Sequence, residues 1–418
     1  MNGAPLKDRY AKSVMPTYGR FDLELTRGSG SEVWDRGGQR FLDLGGGIAV
    51  NCLGHCHPEL AETIAAQAKR LNHVSNLYHI EEQVALAESI VSRLAPGRVF
   101  FCNSGAESNE GLIKFARRYG DEEGRFEILT AVNSFHGRTL ATIAATGQEK
   151  VKQGFGPAVQ GFRHLPFNDL SVFEDALSPA TVAILVEGVQ GEGGLTPATP
   201  EFLLGLRKLC DKHDLLLMID AVQCGHYRTG RYQSFQRILE GVSGAEGFLP
   251  DALSMAKSMG GGFPMGAFWV QEKHADRLGP GSHGTTYGGN AMGCAIAEKV
   301  LEIIDRDQLG ARVRDLGDWL ADELGQIARA FPELASDVRG LGLMRGLRLN
   351  LESGFWKQRD PSTPASIQVV HGLHQLGILT IPAGPEVVRF LPAYTVEKQH
   401  LEEGLDRLRS LLETLNSQ

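Results

Sequence analysis

Six short apolar runs in the middle of the chain constrain its fold more than any other feature of the sequence. They occupy residues 98–103, 126–132, 182–189, 215–222, 252–257 and 266–270. Helical patterns over residues 59–71, 81–94 and 106–119 alternate with short runs of this kind. Runs so uniformly apolar are typical of strands buried on both faces, and their alternation with helices indicates a mainly parallel α/β sheet.

The two ends of the chain have a different pattern. Residues 31–50 predict a hairpin that turns at Asp35–Gly38. Residues 311–330 and 396–415 predict helices, with short strands between them. We therefore expect a large α/β domain over residues 59–309 and a smaller α+β domain built from residues 1–58 and 310–418.

Composition and charge exclude several classes of protein. The 418-residue chain has a net charge of −8 and no long Lys/Arg run, so neither a nucleic-acid surface nor an anionic-membrane anchor is expected. Its six scattered cysteines do not form a disulfide framework. The N-terminus lacks a signal-peptide core, and no apolar run approaches the roughly 20 residues that span a bilayer. We expect a soluble, cytoplasmic protein.

Several of the predicted strands end in polar residues, where open α/β sheets bind their ligands. The segment Asn103–Glu110 places a small-residue turn before a helix. Free backbone N–H groups and the helix dipole would favour a phosphate there. The alternative is an ordinary helix cap made by Ser104 or Asn103.

Asp220 and Lys257 follow two further apolar runs. An acid directly after such a run is costly to bury without a partner, and a cationic ring nitrogen would be one; an acid in a surface turn is the alternative. Lys257 precedes Gly260–Gly262. Burial would lower the pKa of its amine, and a neutral amine can form a Schiff base. The alternative is a lysine whose amine reaches solvent.

The loop Ser134–Thr139 adds an aromatic ring at Phe135 and a guanidinium at Arg138. The ring can stack on a planar ligand, and the guanidinium can bind a carboxylate. Together these features call for a phosphate, a ring with a basic nitrogen, an aldehyde and a carboxylate-bearing substrate. Pyridoxal 5′-phosphate (PLP) meets all of these requirements.

The chain resembles the class III (subgroup II) PLP-dependent aminotransferases over nearly its whole length. The motifs that carry the resemblance are GGGIAVNCLGHCHPEL, HVSNLY, NSGAESNE, SFHGRTL, VEGVQGEGG, MIDAVQCG, SMAKSMGGGFPMGA, GSHGTTYGGNAMGCA and VRFLPA. It implies PLP-transferase fold type I and an aminotransferase activity. This chain has Gly188, Ala221 and Ala291 where the family usually has proline, glutamate and proline.

The resemblance also implies a role for each cofactor-binding residue. Lys257 corresponds to the Schiff-base lysine, and Asp220 to the acid at the pyridine nitrogen. The other residues that match are Ser104, Gly105 and Ala106 at the phosphate, Phe135 and His136 beside the ring, Gln223 near the phenolic oxygen, and Thr286, which reaches the partner subunit's phosphate. A homodimer with shared active sites is therefore expected.

For the substrates, the resemblance assigns two arginines and two acids. Arg138 would bind the distal carboxylate of the amino donor, and Arg389 the α-carboxylate of glutamate. Glu192 would pair with Arg389 when the other substrate is bound, and Glu187 would face the site. Two arginines and a switchable acid allow one pocket to accept substrates with one or two carboxylates.

The donor expected from the resemblance is N-acetylornithine, with 2-oxoglutarate as the amino acceptor. Related enzymes that act on ornithine commonly carry tyrosine where this chain has Ile48, and an apolar residue suits an acylated donor better. Succinylornithine, N-succinyl-diaminopimelate, ornithine and 4-aminobutyrate remain alternatives.

Other classes fit the sequence less well. An aminomutase of the same fold would not need the Arg389 and Glu192 pair, and a non-catalytic scaffold would not need Lys257 and Asp220. The glycines of Arg339–Gly346 have the wrong spacing for a dinucleotide loop. Cys52 and Gly54–Pro58 match no standard zinc spacing, so no metal is expected.

Overall fold

A computed structural model describes residues 5–359 and 361–417. Its strands, in chain order, are β1 Leu25–Ser29, β2 Glu32–Asp35, β3 Arg40–Asp43, β4 Gly97–Cys102, β5 Glu127–Ala131, β6 Phe162–Leu165, β7 Thr181–Glu187, β8 Val189–Gln190, β9 Thr196–Pro197, β10 Leu216–Asp220, β11 Ala252–Met255, β12 Gly266–Gln271, β13 Ala335–Leu341, β14 Met344–Leu349, β15 Ile378–Leu379, β16 Ile381–Ala383 and β17 Val387–Phe390.

The α-helices follow the same order along the chain. They are α1 Leu6–Ser13, α2 Gly46–Ala49, α3 Pro58–Arg70, α4 Glu81–Arg93, α5 Gly105–Tyr119, α6 Leu140–Ala145, α7 Leu170–Asp175, α8 Pro200–His213, α9 Ser234–Ile238, α10 Ala291–Arg306, α11 Leu309–Ala330, α12 Gly354–Lys357, α13 Ala365–Gln375 and α14 Lys398–Asn416. Across the part of the chain that the structure describes, none of these helices has the length and apolar character needed to cross a membrane.

The central sheet has seven strands in the order β4-β12-β11-β10-β7-β5-β6. All neighbours are parallel except β12, which runs antiparallel to both β11 and β4. Every residue of β7 and β10 is buried, because helices cover both faces of the sheet. The predicted α/β fold with a mainly parallel sheet is confirmed, and all six apolar runs form strands of this sheet.

The sequence did not predict the edge strand β6. Only Leu165 of its four residues is buried, and Arg163 and His164 interrupt its apolar character. It therefore lacks the continuous apolar run that marks the other strands of the sheet, including β4 at the opposite edge.

The chain ends form two smaller sheets, with the strand orders β1-β2-β3-β15 and β13-β14-β17-β16. The predicted hairpin is confirmed, since β2 and β3 pair antiparallel. In the first sheet Leu42 of β3 lies beside Ile378 of β15, which joins an early segment to a late one. The domain boundaries at residues 58 and 309 remain a prediction.

Helix α5 packs closely on the central sheet because Gly111 faces β12. A Cβ atom at Gly111 would clash with the ring of Phe268. Helix α5 begins beside the strand ends, and the absence of a side chain at residue 111 lets it pack directly on the sheet.

We predict that Gly111→Ala destabilises the protein by about 1–3 kcal/mol through overpacking. The matched control is Gly325→Ala on α11, where the new Cβ would meet only the end of Arg329 at 3.4 Å. That change is expected to be neutral or to stabilise the helix by up to about 1 kcal/mol. Denaturant unfolding of both variants measures the difference, and equal effects would contradict the packing argument.

Candidate active site

A cavity of about 360 Å³ lies at the carboxyl ends of the parallel strands. The loops after β4, β5, β7, β10 and β11 all contribute to its wall. The predicted site residues that line it are Ser104, Gly105, Ala106, Phe135, His136, Arg138, Glu187, Glu192, Asp220, Gln223 and Lys257. Residues far apart in sequence therefore meet at one edge of the sheet, as expected for an open α/β fold.

Asp220 ends β10 and is 3% exposed, so the alternative of a surface turn is wrong. His136 Nδ1 lies 2.8 Å from its Oδ2, and Asn109 Nδ2 donates to the same oxygen at 2.7 Å. The N–H of Val222 donates to Oδ1 at 3.0 Å. Burial opposes ionisation of the carboxyl, but these hydrogen bonds outweigh it and lower its pKa. Asp220 therefore presents a fixed negative charge to the cavity.

Asn109 is not among the predicted site residues, although it lies within the NSGAESNE motif. Residue 109 follows Gly105 by four positions, so both lie on the same face of α5. The helical periodicity therefore predicts that Asn109 lies on the face of α5 that begins at the cavity, and the structure places it there as a buried residue.

Lys257 follows β11 and has a left-handed backbone conformation with φ of +50°. Burial, assisted by the guanidinium of Arg389, lowers the pKa of its amine to about 8, although Glu192 and Asp220 oppose that shift. The amine is therefore easily deprotonated near neutral pH. A lysine that lines the cavity wall with a depressed pKa does not fit the alternative of a solvent-directed side chain.

The turn before α5 caps the helix, and it also leaves backbone N–H groups that suit an anion. Ser104 Oγ accepts the N–H of Glu107 at 3.2 Å, which confirms the expected cap. The first N–H groups of a helix have no partner within the helix. A Cβ at Gly105 would lie 2.6 Å from Val222, so the turn approaches the β10 loop closely. The fifteen-residue helix directs the positive end of its dipole at this point.

Arg389, on β17, is 2% exposed; it does not line the cavity itself but contacts two residues that do. Its Nη1 lies 2.7 Å from Glu192 Oε1 and donates to Gln223 Oε1 at 2.9 Å. Burial alone would raise the pKa of Glu192, but the guanidinium lowers it to about 2. Gln223 Nε2 also lies 3.3 Å from Glu192 Oε1, so it bridges the two charged groups.

The remaining predicted residues lie at different depths. Glu187 is buried, and burial together with Asp220 raises its pKa, so its carboxyl favours the neutral form. Arg138 is exposed, with its guanidinium 5.5 Å from the centre of the Phe135 ring. Thr286 is exposed and does not line the cavity of its own chain.

The donor set suits PLP. No lysine or arginine forms an ion pair with the ionised Asp220 among the described residues, so a cationic ring nitrogen would balance it. The start of α5 suits a phosphate, Lys257 supplies an amine, and Phe135 supplies a ring face. No group of acids, histidines and cysteines suited to a metal ion occurs within residues 5–359 and 361–417.

The chain is similar to known proteins in both sequence and fold. The family described as "Aminotransferase class-III" matches residues 14–412. Acetylornithine aminotransferase of Pseudomonas putida is 42% identical over 405 residues, covering 96% of this chain and 95% of that protein. Succinylornithine transaminase of Yersinia pseudotuberculosis is 41% identical over 404 residues, covering 94% and 93%.

A solved structure is similar over almost the whole chain. It is the ornithine aminotransferase from Toxoplasma gondii, described with partial occupancy of PLP at its active site. The TM-score is 0.89 at 26% identity, and the match covers 99% of this chain and 94% of that one. These likenesses support the predicted fold type I.

We predict that Lys257→Met stabilises the protein at pH 7 when no small molecule is bound. The folded-state pKa of about 8 lies below the ordinary 10.5, so the unfolded chain binds more protons between these values. The wild type therefore loses stability as pH falls through that window, by an amount on the order of a few kcal/mol.

Urea unfolding between pH 7 and pH 10 measures this difference. The gap between Lys257→Met and the wild type should be largest at pH 7 and shrink as pH rises toward the unfolded pKa. A gap that does not vary with pH would show that the amine carries no burial cost.

Proposed function

This chain belongs to the class-III aminotransferase family, and from that premise we propose that it transfers the terminal amino group of N-acetylornithine to 2-oxoglutarate. The products are the semialdehyde of N-acetylglutamate and glutamate, which places the reaction in arginine biosynthesis. The observation that carries the proposal is the pair of Arg389 and Glu192, 2.7 Å apart beside Lys257. Such a pair suits an enzyme that binds two substrates of different charge in turn.

The cofactor is PLP, as in the family. When bound, it supplies a carbonyl carbon that exchanges amino groups and a conjugated ring that withdraws electrons from the reacting carbon. The ionised Asp220 would hold the ring nitrogen in its protonated form, with His136 and Asn109 keeping the carboxylate in place. The start of α5, from Ser104 to Ala106, would hold the phosphate. Phe135 would cover one face of the ring.

Lys257 would act as the group that moves the proton. With a pKa of about 8, its amine Nζ is present in both protonation states near neutral pH. It can therefore accept a proton from the substrate carbon and return it to the neighbouring reacting atom. Efficient general acid–base catalysis needs a pKa of this kind, close to the working pH.

Arg389 and Glu192 would adapt the site to each substrate. With the donor bound, Glu192 neutralises Arg389, as it does in the structure. With glutamate or 2-oxoglutarate bound, the α-carboxylate would take the place of Glu192, which is half-buried and can turn toward solvent. A carboxylate must replace it because an unpaired buried guanidinium is costly.

The surroundings of Ile48 support an acylated donor. Ile48 lies 44% exposed in the wall of a second cavity, which Asp43 also lines. The oxygens of Asp43 are already occupied, Oδ1 by the N–H groups of Gly45 and Gly46 and Oδ2 by His55 at 2.7 Å. The free α-ammonium of ornithine would therefore find no carboxylate oxygen of Asp43 without a partner, whereas an acyl amide needs no carboxylate to balance it.

We also propose that two copies share their active sites. Thr286 lies outside the cavity of its own chain. Its neighbour in sequence, Tyr287, is a large exposed residue, and so is Tyr78. Exposed apolar groups of this kind suit burial against a second copy. Thr286 of one copy would then reach the phosphate site of the other.

A panel of donors with 2-oxoglutarate tests the function. We expect N-acetylornithine to give a higher kcat/KM than N-succinylornithine, N-succinyl-diaminopimelate, ornithine or 4-aminobutyrate, with glutamate formation as the measurement. Lys257→Ala should abolish turnover while the protein remains folded. Preference for ornithine or 4-aminobutyrate would overturn the donor assignment, and isomerisation of a donor without 2-oxoglutarate would indicate an aminomutase.

Arg138→Ala should raise the KM for N-acetylornithine by roughly 10- to 100-fold, because a hydrogen bond to a charged group contributes about 1.5–3 kcal/mol. The matched control is Arg118→Ala, which removes an exposed arginine of α5 that pairs with Asp121 at 3.0 Å. The control should leave KM unchanged. Equal KM values in all three proteins would remove Arg138 from the donor site.

A further inference from the structure

Behind Lys257 lies a buried polar cluster formed by Arg228, Ser258 and Tyr394, which we call the Tyr394 cluster. The side chains of Arg228 and Tyr394 are fully buried, and Ser258 is 2% exposed. The three residues come from the loop after β10, the turn after β11 and the segment after β17. The cluster therefore joins the turn that carries Lys257 to the C-terminal part of the chain.

Hydrogen bonds hold Ser258 from several sides. Its Oγ donates to the carbonyl of Ala49 at 2.8 Å. The same Oγ accepts from the hydroxyl of Tyr394 at 3.1 Å, and that hydroxyl shares its proton with the carbonyl of His226 at 2.6 Å. The carbonyl of Ser258 accepts from Cys52 Sγ at 3.2 Å. Both the side chain and the backbone of the residue after Lys257 are thus fixed.

Arg228 in turn fixes Tyr394. Its guanidinium lies 4.5 Å from the centre of the Tyr394 ring, and Nη1 donates to the carbonyls of Pro392 at 2.6 Å and Leu343 at 3.1 Å. No carboxylate forms an ion pair with Arg228 among the residues that the structure describes. The aromatic face and the carbonyls stabilise this buried cation instead, which makes the ring of Tyr394 a necessary part of the packing.

The backbone of Lys257 needs such support. Its φ of +50° is left-handed, which costs a residue other than glycine about 1–2 kcal/mol. A conformation of this kind persists only where its surroundings hold it. Lys257 cannot relax without moving Ser258, and Ser258 is held by Ala49, Cys52 and Tyr394.

We propose that Ser258 and Tyr394 are positioning residues that hold Lys257 in its left-handed turn and keep its amine inside the cavity. Neither residue lines the cavity, so they act through the backbone of Lys257. Arg228 supports them by holding the ring of Tyr394. The inference rests on the proposed role of Lys257 as the lysine that joins PLP.

The test measures how the free lysine amine titrates. PLP is added to the apoenzyme, and the rate at which the visible absorbance band appears is followed as a function of pH, since only the neutral amine reacts. The variants are Tyr394→Phe, which keeps the ring but loses the hydroxyl, and Ser258→Ala. The groups that face the amine, Glu192, Arg389, Asp220 and Glu187, stay unchanged.

We expect the midpoint of this pH profile to rise in both variants by roughly half a unit, about a threefold change in proton affinity. A loosened turn would let water reach the amine, which moves its pKa back toward the ordinary value. The control is Ser366→Ala, another fully buried serine whose hydroxyl donates to a backbone carbonyl, that of Gly384 at 2.8 Å. Its profile should match the wild type.

Midpoints in both variants equal to those of the wild type and the control would overturn the inference, even if their thermal stability fell. Circular dichroism establishes that each variant is folded, and Tyr394→Phe decides the question alone if Ser258→Ala does not fold. Failure of the proposed function gives a different result. In that case the wild type would show no visible band, or Lys257→Ala would keep it.

Discussion

The buried negative charge of Asp220 is the constraint to which the charges of Lys257 and Glu187 in the cavity respond. A carboxylate held ionised away from water requires cationic or hydrogen-bonding partners. His136, Asn109 and the backbone of Val222 provide the hydrogen bonds. The same negative charge raises the pKa of Glu187 and partly offsets the effect of burial on Lys257. The protonation of each charged group in the cavity thus depends on its neighbours.

This dependence explains how one site can be both basic and acidic. Burial shifts both Lys257 and Glu187 toward their neutral forms, while Asp220 and Glu192 stay ionised because they have strong partners. The cavity therefore offers a proton acceptor at the lysine and fixed charges for the cofactor and substrates. Backbone geometry contributes as well, since Lys257 is held in a left-handed turn.

Much of the fold could be predicted because burial on both faces leaves a continuous apolar run in the sequence. Strand β6 escaped prediction because Arg163 and His164 break its apolar run, whereas β4 at the opposite edge keeps one. The residues of the cavity could be located because they follow directly after predicted strands, although their roles remain predictions. Asn109 does not follow a strand directly, but the periodicity of α5 places it on the same face as Gly105. The contact of Gln223 with Arg389 depends on how a late strand is oriented in space, which no local pattern records.

Packing explains one of the three departures from the family pattern, Gly188, and nothing in the structure explains Ala221 and Ala291. At Gly188 a Cβ would clash with the side chain of Ser234, so the glycine and the serine fit each other. Ala221 is 2% exposed and packs in the core under the sheet. Ala291 begins α10, where Asn290 caps the helix by accepting the N–H of Gly293 at 2.9 Å. None of the three lines the cavity, whereas Ile48 and Arg138 face open space. The residues proposed to contact the donor, Ile48 and Arg138, are therefore separate from these three substitutions.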